Sequence, residues 1–263
     1  MGIHEYTDYA NWISLQRPRT LALRSAVLFL LAFASFPLLP SHIVSTLVRV
    51  LLFIGAFYFL QDCCRLFYWR WLLSYQGGGI QGRILDSLLA YLPWDGEGTL
   101  LDIGCGSGAL SIKAAQKFPL AHITGVDLWG ADWDYGREQC ERNAWSEGVP
   151  GRVVFMEADA AALPFADGSF SAVVSNLVFH EVPGNKLAIM REALRVLQPG
   201  GFFVFQDIFH SHRHYPDYDG LLTALRSETG ELHFVDTRNS SSIPSVLKNP
   251  MVAGNMALIW GRK

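Results

Sequence analysis

"LLDIGCGSGALSIKAAQKF" spans residues 100–118. An apolar run enters three glycines, Gly104, Gly106 and Gly108, and leaves them for a segment with helical spacing. Glycines at such a turn admit positive φ and let the backbone close on a ligand. The helix that follows offers its first free N–H groups. In an open α/β sheet this junction lies at the carboxyl ends of the central strands, where ligands bind. The loop alone is ambiguous, because Gly104, Gly106 and Ala109 also satisfy the G-x-G-x-x-[GA] dinucleotide fingerprint.

Downstream of this turn the pattern alternates between strand and helix. "TLLDI" (99–103), "HITGVDL" (122–128), "RVVFMEAD" (152–159), "SAVVSNL" (171–177) and "FFVFQDIF" (202–209) read as strands. Residues 109–118, 133–147 and 185–197 read as helices. Trp133, Cys140 and Ala144 share one face of the second helix, and Leu187, Met190, Leu194 and Leu197 share one face of the third. Pro199-Gly200-Gly201 is expected to end the third helix. Short strands separated by such helices predict a doubly wound, mostly parallel sheet with helices on both sides. "LHFVDTR" (232–238) and "MALIWGR" (256–262), with no helical pattern between them, predict an antiparallel pair at the edge and bring the sheet to seven strands.

The first 75 residues differ in kind. The chain has 263 residues, half of them apolar, and a net charge of −3. That charge divides into +3 over residues 1–75 and −6 over the remainder. No bulk electrostatic case for nucleic acid arises. Ser25–Leu39 and Ile43–Leu60 are apolar stretches separated by a tight turn, which predicts an N-terminal α-helical hairpin at a membrane. Arg17, Arg19 and Arg24 precede it and Arg65 and Arg70 follow it. The turn carries no Lys or Arg, so both flanks and the catalytic domain are expected on the cytoplasmic side. Arg49 inside the second stretch, where a charge is expensive, and Pro37, expected to cut the first helix short, leave a full double span and a re-entrant or monotopic hairpin both open. Ala32-Phe33-Ala34 resembles a signal-peptide cleavage site, but the long segment before it and the second apolar run after it argue against one. The expected division is a hairpin over 1–75 and a catalytic domain over 76–263. "YQGGGIQGR" (75–83), at the junction, reads as hinge, lid or plain linker.

The four cysteines form no CxxC pair, which suits a reducing compartment. Adjacent Cys63 and Cys64 read either as palmitate acceptors or as small side chains at an interface.

Acidic residues stand at the approaches and tips of the predicted strands. Asp102 lies two residues before Gly104, where an amino group could be held. Asp127 ends the second strand and suits ribose hydroxyls. Asp159-Ala160 ends the third, placed to contact an adenine. "LPFADGSFSAVVSN" (163–176) and "EALRVLQPGGFFVF" (192–205) follow. This ordered set resembles the class I S-adenosylmethionine-dependent methyltransferases, closest in flavour to the ubiquinone/menaquinone C-methyltransferases. The resemblance covers about residues 80–263. It implies a Rossmann-like methyltransferase fold with S-adenosyl-L-methionine as cofactor. It further implies that Asp102 and the backbone at Gly104 and Gly106 hold the methionine moiety, with Cys105 and Gly108 also cofactor-binding. Asp127 would chelate the ribose, with Leu128 or Trp129 on the adenine. Asp159 would accept from the adenine amino group beside Ala160, and Asn176 would lie at the methionine end. Ser171 departs from the family, where an Asp is commoner.

The donor's sulfonium is intrinsically reactive, so the protein's tasks are alignment and exclusion of water. His180 and Glu181, after the fourth strand, are the candidate catalytic pair, with His180 as base or orienter. A structural histidine in a loop is the competing reading. "HSHRH" (210–214) alternates three histidines, which on an extended segment would share one side; a polar loop lining the acceptor pocket and a metal site are the two readings, and no metal is assigned. The expected function is a membrane-anchored methyltransferase for a small, lipophilic acceptor, methylated on O, C or S. The rivals are an NAD-dependent oxidoreductase and a non-catalytic membrane adaptor. Oligomeric state is not legible.

Overall fold

The computed structural model describes residues 7–130, 135–239 and 254–263. Contacts divide the chain into two compact units, one of residues 11–79 and one of residues 80–263 with the segment that precedes the hairpin.

The smaller unit is two helices, α1 (Gln16–Leu38) and α2 (Ile43–Leu73). Small residues meet where the helices pack: Ser25, Ala32, Ser35 and Ala56 are buried, and Ser25 Oγ donates to the Ala56 carbonyl at 2.9 Å. Close approach of backbones through small side chains is the common device between apolar helices in lipid. Both helices are long and apolar enough to cross a membrane by length and composition, and only 17% and 11% of their most apolar windows are buried.

Two expectations change here. Pro37 does not cut the first helix short, because it sits inside the last turn of α1. Its missing N–H forfeits one bond to the preceding turn, and the helix runs only one residue further. Arg49 is buried against the end of α1. Its Nε donates to Ser35 Oγ at 3.1 Å, and its Nη2 donates to the carbonyls of Ser35 (3.0 Å) and Leu39 (2.8 Å). The guanidinium also lies 4.6 Å from the centre of the Phe36 ring. A cation therefore caps the negative end of α1 and satisfies carbonyls that the helix leaves free. The second helix continues 13 residues past Leu60, through Cys63 and Cys64, to Leu73. Cys63 is buried with its thiol on the Pro18 carbonyl, whereas Cys64 is exposed.

"YQGGGIQGR" is neither extended nor wholly a linker. Gly78 and Gly79 N–H groups close a turn onto Trp71 and Ser74, and Ile80 already starts the next helix.

The larger unit begins with α3 (Ile80–Ala90), which the sequence reading passed over despite Ile80, Ile84, Leu85, Leu88 and Leu89 on one buried face. Then follow β1 (Thr99–Ile103), α4 (Ala109–Lys117), β2 (His122–Asp127), α5 (Arg137–Ser146), β3 (Val153–Glu157), β4 (Phe170–Asn176), α6 (Lys186–Val196), β5 (Leu197–Asp207), α7 (Tyr218–Glu228), β6 (Glu231–Asp236) and β7 (Ala257–Arg262). Trp133, expected at the start of α5, lies outside the described residues, as does the connection over 240–253. Helix α7 was not expected either.

The seven strands pair in the order β3-β2-β1-β4-β5-β7-β6. The first five are parallel neighbours, and β7 runs antiparallel between β5 and β6. The order reverses between β1 and β4, so a crevice opens there at the carboxyl edge. Strand β4 is buried along most of its length, and the core gathers Val173, Phe179, Met190, Phe203 and Phe205 around it.

Pro199-Gly200-Gly201 does not form the break that was expected. It lies within β5, whose register against β4 shifts between Phe170–Leu197 and Ala172–Phe202. A bulge takes up the proline, which has no N–H to give the ladder. Lys263 completes the arrangement by exchanging main-chain bonds with Gly200 (2.8 Å) and Gly201 (2.9 Å).

Candidate active site

The glycine turn leaves β1 at the switch point. Gly104 and Cys105 N–H groups both donate to the Val126 carbonyl at 2.7 and 2.9 Å, which ties the turn to β2. Gly104 and Gly108 have φ of 72° and 85°. A Cβ on Gly104 would run into the Val178 side chain, and one on Gly108 would come 2.9 Å from Phe155 Cζ. Glycine is thus required at both, by conformation and by space. Gly108 caps α4, and the Ile112 N–H reaches its carbonyl at 2.9 Å. Cys105 is buried, and burial pushes its thiol well up, so it is a packing residue of the turn and not a nucleophile.

Asp127, at the tip of β2, accepts from Gly106 N–H at 2.8 Å through Oδ2 and from Trp129 N–H at 3.0 Å through Oδ1. Each oxygen keeps a lone pair for a further donor. Trp129, with φ of 44°, turns its indole back so that Nε1 donates to the Gly106 carbonyl at 2.8 Å. Leu128 is exposed beside it. The turn is closed from α5 as well, where Cys140 Sγ donates to the same carbonyl at 3.1 Å.

Asp102 is 1% exposed and accepts from Ser111 Oγ at 2.6 Å. Burial, aided by the charge of Asp127, raises its pKa to about 7 against the pull of the Ser111 bond. Such a carboxyl is half charged near neutrality and favours a cation beside it. Asp159 lies two residues beyond β3, exposed, with Oδ1 accepting from Ala161 N–H at 2.8 Å; Ala160 is buried next to it. Asn176 ends β4, and its Oδ1 is buried without a hydrogen-bond partner. A buried acceptor left without a donor is costly, and a ligand N–H or O–H at this tip would satisfy it. Ser171, the departure noted above, sits at the opposite edge and binds Thr99 N–H at 3.0 Å.

His180 follows β4 and meets a residue that the sequence reading missed. Its Nδ1 lies 2.6 Å from Oδ1 of Asp207, and its N–H donates to Oδ2 at 3.0 Å. Asp207 ends β5 and is fully buried. It also accepts from Tyr215 Oη at 2.9 Å and from Ile208 N–H at 2.7 Å. Burial and the Asp207 charge push the Tyr215 hydroxyl up, so it stays a donor. On the other side of the ring, Nε2 is 3.1 Å from Oε1 of the exposed Glu181. Burial disfavours the charged imidazole, but the bond and charge of Asp207, with Glu181, outweigh it and raise the His180 pKa. The result is an imidazole oriented by a buried carboxylate at Nδ1, with Nε2 at the carboxyl edge. A carboxylate interrupting "FFVFQDIF" was the available signal.

The histidines of "HSHRH" do not share one side. Residues 208–216 form turns, not an extended segment. His214 packs edge-on to His180 at 5.5 Å and pairs with Ser211 Oγ at 2.9 Å, while His210 lies against Tyr218 and Phe234 and His212 is exposed. Among the described residues no three His, Cys, Asp or Glu side chains gather as metal ligands.

Residues 101–205 match the methyltransferase domain family. The chain is 36% identical over 128 residues to 27-O-demethylrifamycin SV methyltransferase of Amycolatopsis mediterranei, covering 48% of this chain and 44% of that protein. It is 37% identical over 112 residues to the ubiquinone/menaquinone biosynthesis C-methyltransferase of Methylobacterium nodulans, 42% of each chain. The chain therefore spans less than half the length of these relatives. Among solved structures, the fold resembles geranyl diphosphate C-methyltransferase from Streptomyces coelicolor A3(2), with a TM-score of 0.52, 17% identity and coverage of 68% of this chain and 78% of that one. It resembles the [4+2]-cyclase SpnF equally, with a TM-score of 0.52, 22% identity and coverage of 69% and 80%. A dinucleotide fold in its common order carries a parallel sixth strand after β5; the antiparallel β7 stands in that place here.

Proposed function

We propose that the larger unit, a class I S-adenosylmethionine-dependent methyltransferase domain, methylates a small lipophilic acceptor at a membrane to which the hairpin anchors it. The observation that carries this reading is the meeting, at one edge of the sheet, of a donor cradle and an oriented histidine. The cradle is the turn 104–108 with Asp127, Asp102 and Asn176; the histidine is His180 on Asp207. When bound, S-adenosylmethionine supplies a methyl group activated on its sulfonium sulfur.

The chain's own residues bind, orient and move protons. Asp127 offers free lone pairs to the vicinal hydroxyls of a ribose while two backbone N–H groups fix its carboxylate. Asp102 and the orphaned Asn176 oxygen suit an ammonium and a further donor at the methionine end. Asp159 and Ala160 flank the expected adenine. His180, held at Nδ1, takes the acceptor's proton at Nε2 once it is itself neutral. Tyr215 Oη and Ile208 N–H hold the Asp207 carboxylate in place for that role. Glu181, exposed, competes for Nε2 until the acceptor arrives.

The membrane part of the reading rests on different observations. Apolar side chains on α1 and α2, among them Leu30, Phe33, Ile43, Leu51 and Phe57, are exposed in quantity. The one inner charge, Arg49, is neutralised by helix-end carbonyls. The segment before the hairpin and the domain after it belong to one compact unit, which supports a reading with both flanks on one side of a bilayer. Arginines on both flanks support the cytoplasmic side for them. An anchor raises the local concentration of an acceptor dissolved in the same membrane.

The test is mass spectrometry of a lipid and metabolite extract incubated with the full-length protein in liposomes and methyl-labelled donor. Label in an apolar acceptor, lost in His180→Ala, supports the reading. Label only in water-soluble products contradicts the lipophilic acceptor, and no label in any extract favours a non-catalytic adaptor.

A further inference from the structure

Asn143, on α5, is 3% exposed, and every arm of its amide is engaged. Its Oδ1 accepts from Asp8 N–H at 3.0 Å. Its Nδ2 donates to the Asp8 carbonyl and to the Ser107 carbonyl, both at 2.9 Å. Ser107 stands in the donor turn. One helical turn earlier, Gln139 Nε2 also donates to the Asp8 carbonyl (2.5 Å), and Thr7 Oγ1 donates to Glu147 Oε1 at 3.0 Å. The segment before the hairpin is thus fastened to α5 mainly through its main chain, at the side chain that fastens the donor turn. Three residues later the chain belongs to the hairpin unit, where Asn11 Nδ2 donates to the Arg70 carbonyl at 2.7 Å.

We propose that Asn143 is a positioning residue for the donor turn and that the main chain of Asp8 is its second anchor. Docking of residues 7–10 and binding of the donor then strengthen each other. A buried amide with two partners cannot relax toward one without leaving the other unpaired. Loss of the Asp8 contacts frees the Asn143 side chain and with it the Ser107 carbonyl, so the turn is held less firmly. By linkage the reverse holds equally, and a bound donor secures the segment. The stretch of chain leading into the apolar hairpin therefore sets donor affinity. This inference rests on the donor-site reading above.

The test is calorimetry of S-adenosylhomocysteine binding to the full-length protein in detergent micelles. Asp8→Ala keeps both main-chain contacts and is expected to bind like wild type. Asp8→Pro removes the N–H, and is expected to bind about tenfold more weakly. In an Asn143→Ala background the same proline is expected to change affinity less than twofold, because the link is already gone. Hydrogen exchange of the unsubstituted protein provides a second measurement: amides of residues 7–10 should slow when S-adenosylhomocysteine binds. Asp8→Pro at wild-type affinity, an undiminished effect in Asn143→Ala, or unchanged exchange overturns the coupling alone. Failure of the wild-type protein to bind S-adenosylhomocysteine overturns the donor-site reading and this inference together.

Discussion

Asp102 and His180 both have raised pKa values, and each gives a pH signature. The Asp102 pKa rises from 3.8 to about 7 in the fold, chiefly through burial. The folded state then holds a proton that the unfolded chain releases, so this group's contribution to stability falls as pH rises from about 4 to about 7. Asp102→Asn is expected to remove that part of the decline in a thermal melt series. With an ammonium beside it the carboxylate is favoured, so S-adenosylhomocysteine affinity should rise from pH 6 to pH 8 in wild type and lose this rise in Asp102→Asn. His180 has the same sign in a higher window: its raised pKa stabilises the fold below the ordinary value of 6.5 and loses that contribution as pH rises through the raised value. A base must be neutral, so turnover should climb over the same interval. Asp207→Asn removes the charge that raises the pKa and leaves burial, which lowers it. The acid limb of the pH–rate profile should therefore move to lower pH while kcat drops. His180→Ala should cost about 10²- to 10⁴-fold in kcat if the histidine is the base. Unmoved profiles in both variants would leave His180 a structural residue. Asp102, Gly104, Asp127 and His180 were legible as candidates because each stands in, at or just beyond the carboxyl end of a strand, marked by glycines or by a change of pattern. Asp207 was not, because the acid's partner is 27 residues away and only the parallel pairing of β4 with β5 brings them together.

At the scale of elements, legibility followed hydrophobic period. The strands β1, β2 and β4 lie where apolar runs place them, since buried parallel strands have few other readings. The start of β5 was hidden because Pro-Gly-Gly is ordinarily a stop, and only the bulge against β4 and the pairing with Lys263 keep it in the sheet. The last strands depend on close backbone contact. A Cβ on Gly261 would collide with the Glu231 carbonyl and come 3.0 Å from Phe203 Cζ. Gly261→Ala should therefore destabilise the larger unit by about 2 kcal/mol, read as a lower denaturation midpoint. A midpoint equal to wild type would show that β6 and β7 pair more loosely than described. Arg49 shows why a charge count misleads in the hairpin: the expense was real, but the end of α1 supplies acceptors that no single-helix pattern can reveal.

The whole molecule combines a seven-stranded methyltransferase-type sheet with two helices that are long and apolar enough to cross a membrane and expose many apolar side chains. Full-length protein expressed in bacteria should stay in the membrane fraction after alkaline carbonate extraction, while release into the supernatant would place the hairpin on a protein partner. The fold by itself does not assign chemistry, since a methyltransferase and a [4+2]-cyclase share it at equal similarity. The proposed chemistry rests on the match of residues 101–205 to the methyltransferase domain family together with the set of polar groups at the carboxyl edge. The decisive measurement is calorimetric titration of S-adenosylhomocysteine and, separately, NADH into wild type and Asp127→Ala. The account predicts one S-adenosylhomocysteine per chain, about 100-fold weaker binding in Asp127→Ala, as expected when two charge-assisted hydrogen bonds are lost, and no heat from NADH. Binding of NADH without S-adenosylhomocysteine, or an Asp127→Ala variant that binds S-adenosylhomocysteine as wild type does, would contradict it.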